Sequence, residues 1–185
     1  MLDKTGVYCN QEVIDSSVCA GCVEEPILNV IRQKRLKGVL DNAQQLLAPS
    51  KFFAGLHRDN GFPDGQVIVN KNGVMRPLSG AARTRHAGPV RFGYVGGNSQ
   101  VKGFHLVEKV FRSMGREVQL KIVDNMLSLG WSSYDNVSLT TQENVETIPA
   151  YSQDKIDDFF SSIDVLLFPT QAKESFGLTV REAIA

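Results

Sequence analysis

The 185-residue sequence has no surplus of either charge. Twenty Lys and Arg balance twenty Asp and Glu, so the formal net charge is zero. A neutral chain has no global field to steer it onto nucleic acid or an anionic membrane, and no nucleic-acid partner is expected. Long apolar runs are lacking too: the longest, Val165-Leu166-Leu167-Phe168, falls far short of the roughly 18 to 20 residues of a spanning helix. The opening Met1-Leu2-Asp3-Lys4-Thr5-Gly6 has no apolar core of a secretory leader. Cysteine is scarce. Cys9, Cys19 and Cys22 are an odd number and too few for a disulfide framework, which makes the cytoplasm the expected compartment. No internal repeat, low-complexity tract, GxGxxG or GxxxxGK(S/T) pattern occurs. What is present is 42% hydrophobic residues, enough to bury a core.

Periodicity places elements along the chain. The cysteine-bearing segment 9–22 has little apolar period and reads as a loop. A helix is predicted over 26–47, with Pro26 in its first turn and Leu36, Val39, Leu40, Ala43 and Leu47 on one stripe; residues 46–49 are alternatively a short strand. Ser50 is placed to cap a second helix, and 66–70 reads as a strand. Residues 75–89, with Arg76, Arg83, Arg85 and His86 among small residues, read as a linker. Beyond it the pattern becomes regular: strands over 90–95, 118–123 and 164–168, a helix over 102–114, another marked by Ile156, Phe159, Phe160 and Ile163 and capped by Ser152, short strands over 137–140 and 145–148, and a last helix from about Gly177. Strands alternating with helices imply right-handed crossovers and a parallel α/β sheet. The expected organisation is therefore 1–74, a linker over 75–89, and a Rossmann-like unit over 90–185. The last helix has no C-cap and no return strand before Ala185, so the sequence reads as a fragment. Residues 1–74 are expected to form only a partial unit, whose apolar stripe self-association would cover.

Ligands of open α/β sheets bind outside the carboxyl ends of the strands, and two segments fall there. Gly96-Gly97-Asn98-Ser99-Gln100-Val101-Lys102-Gly103 is a glycine turn that lets backbone N–H groups approach an anion, with the Lys102 cation beside the helix start. Tight strand–helix turns also use glycine for steric reasons alone. The second segment runs Glu174-Ser175-Phe176-Gly177-Leu178-Thr179-Val180-Arg181-Glu182. Two carboxylates bracket the N–H groups of Gly177, Leu178 and Thr179 at a helix start, a layout suited to a ligand with hydroxyls at both ends and phosphate between. Taken singly, Glu174 is equally a cap and Glu182 a solvated side chain.

Together these residues resemble the E-x7-E motif of retaining glycosyltransferases of the GT-B fold, and within them family four, the glycosyl transferases group 1. Ile163-Asp164-Val165-Leu166-Leu167-Phe168-Pro169-Thr170 is similar to that family's strand ending in Pro-Ser, with Thr170 in place of serine. Val95-Gly96 through Lys102-Gly103 resembles its "VGR…KG" turn. Leu47-Ala48-Pro49-Ser50-Lys51-Phe52 and Val69-Asn70-Lys71-Asn72-Gly73-Val74 resemble upstream segments, and the Cys9–Cys22 region resembles a loop of some members. The resemblance implies the carboxyl-terminal GT-B domain, incomplete, preceded by the end of the amino-terminal, acceptor-side domain. It implies transfer of a hexose from a nucleotide-diphosphate sugar to a sugar or glycoconjugate hydroxyl. Glu174 and Lys102 would be catalytic, Glu174 on the donor-sugar hydroxyls and Lys102 neutralising the departing diphosphate. Gly96, Gly97, Phe176, Gly177, Leu178 and Thr179 would line the donor site, Glu182 would hold the ribose, and 146–151 would contact the nucleobase. No Asp-x-Asp occurs, which agrees with a metal-independent strategy without cofactor. Peripheral membrane contact of the full-length protein is a further partner the resemblance suggests.

The sequence departs from the pattern at Gly97, where the family usually carries arginine. Losing an ionic hydrogen bond to phosphate costs on the order of 1.5 to 3 kcal/mol, which Arg91 or the linker arginines would have to offset. None of His57, His86 and His105 matches a catalytic histidine. Two other readings stand beside transfer: a non-catalytic nucleotide-binding or degenerate scaffold module, and a zinc module on Cys9-x9-Cys19-x2-Cys22, which lacks a fourth ligand within the loop.

Overall fold

The structure, a computed structural model, describes residues 3–74, 87–115 and 117–185. The chain divides into two compact units, Met1–Gly73 with Ala172–Phe176, and Val74–Gln171 with Gly177–Ala185. Of the expected linker 75–89, residues 75–86 lie outside the described residues.

The first unit contains α1 (Ser16–Cys22), α2 (Pro26–Asp41), β1 (Leu46–Ala48), α3 (Lys51–Asp59) and β2 (Val67–Val69). β1 and β2 pair in parallel, Leu46 opposite Val67 and Ala48 opposite Val69. Ala48, Ala54, Phe62 and Val67 form a small core under Leu40, Leu46 and Phe53. Ser50 caps α3 as its position predicts, its Oγ accepting from the Phe53 N–H at 3.1 Å. Two expectations are corrected. The cysteine segment is not all loop: Asp15 caps α1 by accepting from the N–H groups of Ser17 and Val18. No residue of α1 is buried, so the helix leaves no apolar period to read. The helix over 26–47 ends at Asp41, where the Asn42 amide turns back to donate to the Gly38 carbonyl at 2.7 Å. Its stripe is not a buried face, since Leu36 and Val39 are exposed and only Leu40 joins the core.

The second unit holds β3 (Val90–Val95), α4 (Phe104–Phe111), β4 (Val118–Asp124), β5 (Val145–Pro149), α5 (Ile156–Ser161), β6 (Val165–Leu167) and α6 (Leu178–Ile184). Its four strands lie in the order β5-β4-β3-β6, all parallel, the Rossmann-like arrangement that the alternation predicts. Successive side chains of a strand face opposite ways. Leu120 and Ile122 therefore meet Phe104, Val107 and Phe111 of α4, while Val123 meets Phe159, Phe160 and Ile163 on the other face.

Here too three local expectations are corrected. α4 starts at Phe104 rather than 102, because Gly103 precedes it in a left-handed conformation, φ 77°. Residues 137–140 do not form a strand. Ser138–Thr141 is a 3-10 turn with Leu139 fully buried, and the hydroxyls of Thr140 and Thr141 satisfy the carbonyls of Val137 and Ser138 at 2.8 Å each. Ser152 does not cap a helix: its hydroxyl donates to Asp154 at 2.5 Å, ahead of a 3-10 turn over Gln153–Lys155. Among the described residues, no helix is long and apolar enough to cross a membrane.

Candidate functional site

β3 and β6 are parallel neighbours, with Phe92 opposite Val165 and Tyr94 opposite Leu167, so their carboxyl ends share one edge of the sheet. At that edge β3 runs into residues 96–103 and β6 into residues 169–171. The two segments touch. The Gln171 N–H donates to the Val101 carbonyl at 2.8 Å, and the Thr170 hydroxyl approaches the same oxygen at 3.4 Å. Gly103 makes the contact close: a Cβ there would lie 2.1 Å from the Pro169 carbonyl oxygen. Gly97 is left-handed as well, φ 71°, a conformation that costs an L side chain roughly 1–2 kcal/mol.

The turn is held from below and from the side. The Tyr94 hydroxyl donates to the carbonyls of Gly97 at 3.0 Å and Lys102 at 3.2 Å. The Lys102 N–H donates to Ser99 Oγ at 3.3 Å. The Asn98 amide donates to the Ser133 carbonyl at 2.8 Å. Ser133 belongs to a loop organised by Asp124, the last residue of β4, which is 1% exposed. Its carboxylate accepts from the hydroxyls of Ser132 (2.7 Å) and Ser133 (2.8 Å) and from the N–H groups of Met126 (3.0 Å) and Ser133 (2.9 Å). Burial alone would raise the carboxyl's pKa; these four donors outweigh it and hold it below the usual range.

α6 belongs to the same unit, its Ala183 packed against the cluster of Val123, Phe159, Phe160 and Ile163. Gly177 precedes it, left-handed at φ 70°, and the first helical N–H groups, including those of Leu178 and Thr179, have no carbonyl partner within the helix. Burial pushes the Glu182 carboxyl up. The Tyr151 hydroxyl is pushed up to about 12, by burial first and then by the charge of Glu182. Tyr151 stacks on Phe159 with ring centroids 4.9 Å apart. Of the segment 146–151, the carboxyl-terminal part thus approaches Glu182, whereas Glu146 pairs with Lys121 at 3.4 Å near the start of β5.

The sequence-derived candidates therefore fall into two groups. Gly96, Gly97, Lys102, Gly177, Leu178, Thr179 and Glu182 lie in the second unit, the first three on the turn and the others at α6. Glu174 and Phe176 lie in the segment that groups with the first unit, where Lys173 pairs with Glu12 at 2.6 Å. Arg91 does not stand in for an arginine at 97. It sits near the start of β3, bonded to Asp164 at 2.8 and 3.1 Å, and at about 3.3 Å per residue the strand carries it over 10 Å from the turn. A polar cleft lined by Arg91, Gln119, Lys121 and Glu146 opens there, at the amino edge, away from the turn. His57 lies edge-on between Phe53 and Phe62, a packing role. Among the described residues, no three His, Cys, Asp or Glu side chains group to hold a metal. Sequence reasoning missed Tyr94 and Asp124. An aspartate closing an apolar strand, followed within ten residues by Ser132-Ser133, was the available signal for the second.

No curated protein sequence matches the chain significantly. Among solved structures, it is similar to WaaG, a glycosyltransferase of lipopolysaccharide biosynthesis, with a TM-score of 0.62 and 14% identity over 99% of this chain and 55% of that one. Anabaena HepE in complex with UDP and glucose gives 0.60 and 16% over 82% and 46%. A variant of S. aureus TarM in complex with Fondaparinux, alpha-GlcNAc-glycerol and UDP gives 0.56 and 14% over 82% and 30%. These likenesses are of fold, that of the GT-B glycosyltransferases, and this chain spans about half or less of each relative's length. The sequence profile of the glycosyl transferases group 1 matches residues 81–185. That stretch holds the four-stranded parallel sheet, its glycine turn and α6, and the chain belongs to the group 1 glycosyl transferases.

Proposed function

We propose that residues 90–185 form the nucleotide-sugar half of a retaining, metal-independent hexosyltransferase, and that residues 1–74 are the end of its acceptor-side domain. The observation that carries this reading is the shared carboxyl edge of β3 and β6, which assembles the 96–103 turn against residues 169–171 at the approach to α6. Lys102 and the N–H groups of Gly177, Leu178 and Thr179 hold the diphosphate, with Gly96 and Gly97 allowing its close approach. Glu182 takes the ribose hydroxyls, and Tyr151 flanks the nucleobase. The donor-sugar hydroxyls are the part of the donor that this reading gives to Glu174. Lys102 and the helix start stabilise the charge that develops on the departing diphosphate, which needs no metal where fixed donors meet it. UDP and glucose in the HepE complex, and UDP in that of TarM, agree with such a donor. A sugar or glycoconjugate hydroxyl is the acceptor, and no cofactor takes part.

One observation favours a second reading, binding without transfer. Gly97 is left-handed and carries no charge where the family usually places arginine. Titrating the chain with UDP, GDP and ADP separates the cases. Lys102→Ala and Glu182→Ala should each weaken nucleotide binding about tenfold or more, an ionic hydrogen bond being worth roughly 1.5–3 kcal/mol. Unchanged affinity in both would place the nucleotide elsewhere. Donor-sugar hydrolysis by the longest parent chain supports the enzyme, and binding with no turnover supports the scaffold.

A further inference from the structure

We propose that the Tyr94 hydroxyl, acting from inside the core, is the positioning group of the diphosphate turn, with Asn98 as its second tether. The inference rests on the donor-site reading above and extends it to residues that touch no ligand. Tyr94 is 1% exposed. Its ring packs on Phe104, centroids 5.5 Å apart, and Phe104 on Tyr134 at 4.8 Å, so the phenol cannot swing without disturbing the core. The one hydroxyl proton is shared between the carbonyls of Gly97 and Lys102, the two ends of the turn. Gly96 makes room for it, because a Cβ at that position would lie 2.6 Å from the Tyr94 oxygen.

The consequence follows from peptide geometry. Among the described residues no peptide is cis, and in a trans peptide the N–H points opposite to the C=O. Drawing the Gly97 carbonyl down to Tyr94 therefore aims the Asn98 N–H outward, away from the core. Asn98 is exposed, and its amide anchors that same peptide sideways to Ser133. The two tethers hold an outward backbone donor in a turn whose position 97 offers no side chain. A preorganised donor of this kind needs no reordering when the anion arrives.

The test uses the whole chain, UDP calorimetry and amide hydrogen exchange. Tyr94→Phe keeps the ring and removes the hydroxyl. It should weaken UDP binding about five- to twentyfold and speed exchange across residues 97–102. Asn98→Ala, an exposed truncation that leaves the core intact, should do the same to a lesser degree. Tyr134→Phe removes a buried hydroxyl of the same aromatic cluster that makes no hydrogen bond, and should bind UDP as the unaltered chain does. In a Lys102→Ala background Tyr94→Phe should cost less affinity than in the original, because both act on one bound group. If Tyr94→Phe and Asn98→Ala both speed exchange yet bind UDP normally while Lys102→Ala does not, the tethers are only structural and the proposal falls alone. If Lys102→Ala also binds normally, the donor-site reading falls and takes this one with it.

Discussion

Asp124 is the residue on which the loop beside the turn depends. A carboxylate held below its ordinary pKa by four donors stabilises the fold above pH about 4, and that contribution is lost as pH falls through the lowered value. Asp124→Asn keeps one acceptor oxygen and sets an NH2 group against donors. We expect a loss of about 3 kcal/mol at neutral pH, hydrogen bonds to a charged group being worth roughly 1.5–3 kcal/mol each. The acid limb of the stability curve should flatten accordingly, which urea denaturation at pH 3 to 7 would show; equal losses at both ends would refute the assignment. Glu182 works with the opposite sign. Its raised pKa means that ionisation opposes folding, so stability falls as pH rises from the ordinary carboxyl range through the raised value. At this scale the sequence nominates residues only where a side chain announces chemistry, as Lys102, Glu174 and Glu182 do, whereas Tyr94 reads as one more apolar strand residue, its partners being carbonyls that no pattern exposes.

At the scale of elements, the turn and the segment after β6 meet most closely at Gly103, beside the Gln171–Val101 bond. Gly103 combines φ 77° with a Cβ position that the Pro169 carbonyl already fills. Gly103→Ala must therefore push residues 169–171 away and break the Gln171–Val101 bond. It should lower stability by about 2–3 kcal/mol, strain and overpacking together, and abolish measurable nucleotide binding. An alanine variant that melts and binds as the original does would show that the two segments move independently. Elements of the second unit were largely legible, because β3, β4 and β6 are apolar enough for a covered parallel sheet and α4 carries a clear 3.6-residue stripe. The failures have local causes. α1 buries nothing, the 137–140 segment satisfies its carbonyls with threonine hydroxyls, and α2 exposes Leu36 and Val39 on what its period marks as an inner face.

At the scale of the whole molecule, the exposed side chains of α2 carry the proposal of self-association. Leu36→Lys with Val39→Lys should reduce any concentration-dependent dimer seen by analytical ultracentrifugation and leave the melting temperature within a few degrees, since surface changes are usually within about 0.5 kcal/mol; a dimer that persists would put the interface elsewhere. The chain alone should transfer no sugar. It spans 55% of WaaG and 46% of HepE, and orientation of an acceptor hydroxyl, worth roughly 7–11 kcal/mol, needs the rest of such a protein. Sugar transfer by these 185 residues would overturn that view. The strand order has a kinetic meaning as well. β4 joins β3 by a crossover of about twenty residues that carries α4, but β6 reaches β3 only after about seventy intervening residues, a separation that slows pairing. During synthesis the β3–β4 ribbon can form early, and its turn waits without the neighbour that closes it. Nucleotide binding should then appear late and all at once, when β6 docks, so that a nascent chain cannot sequester its ligand before the sheet is able to keep it.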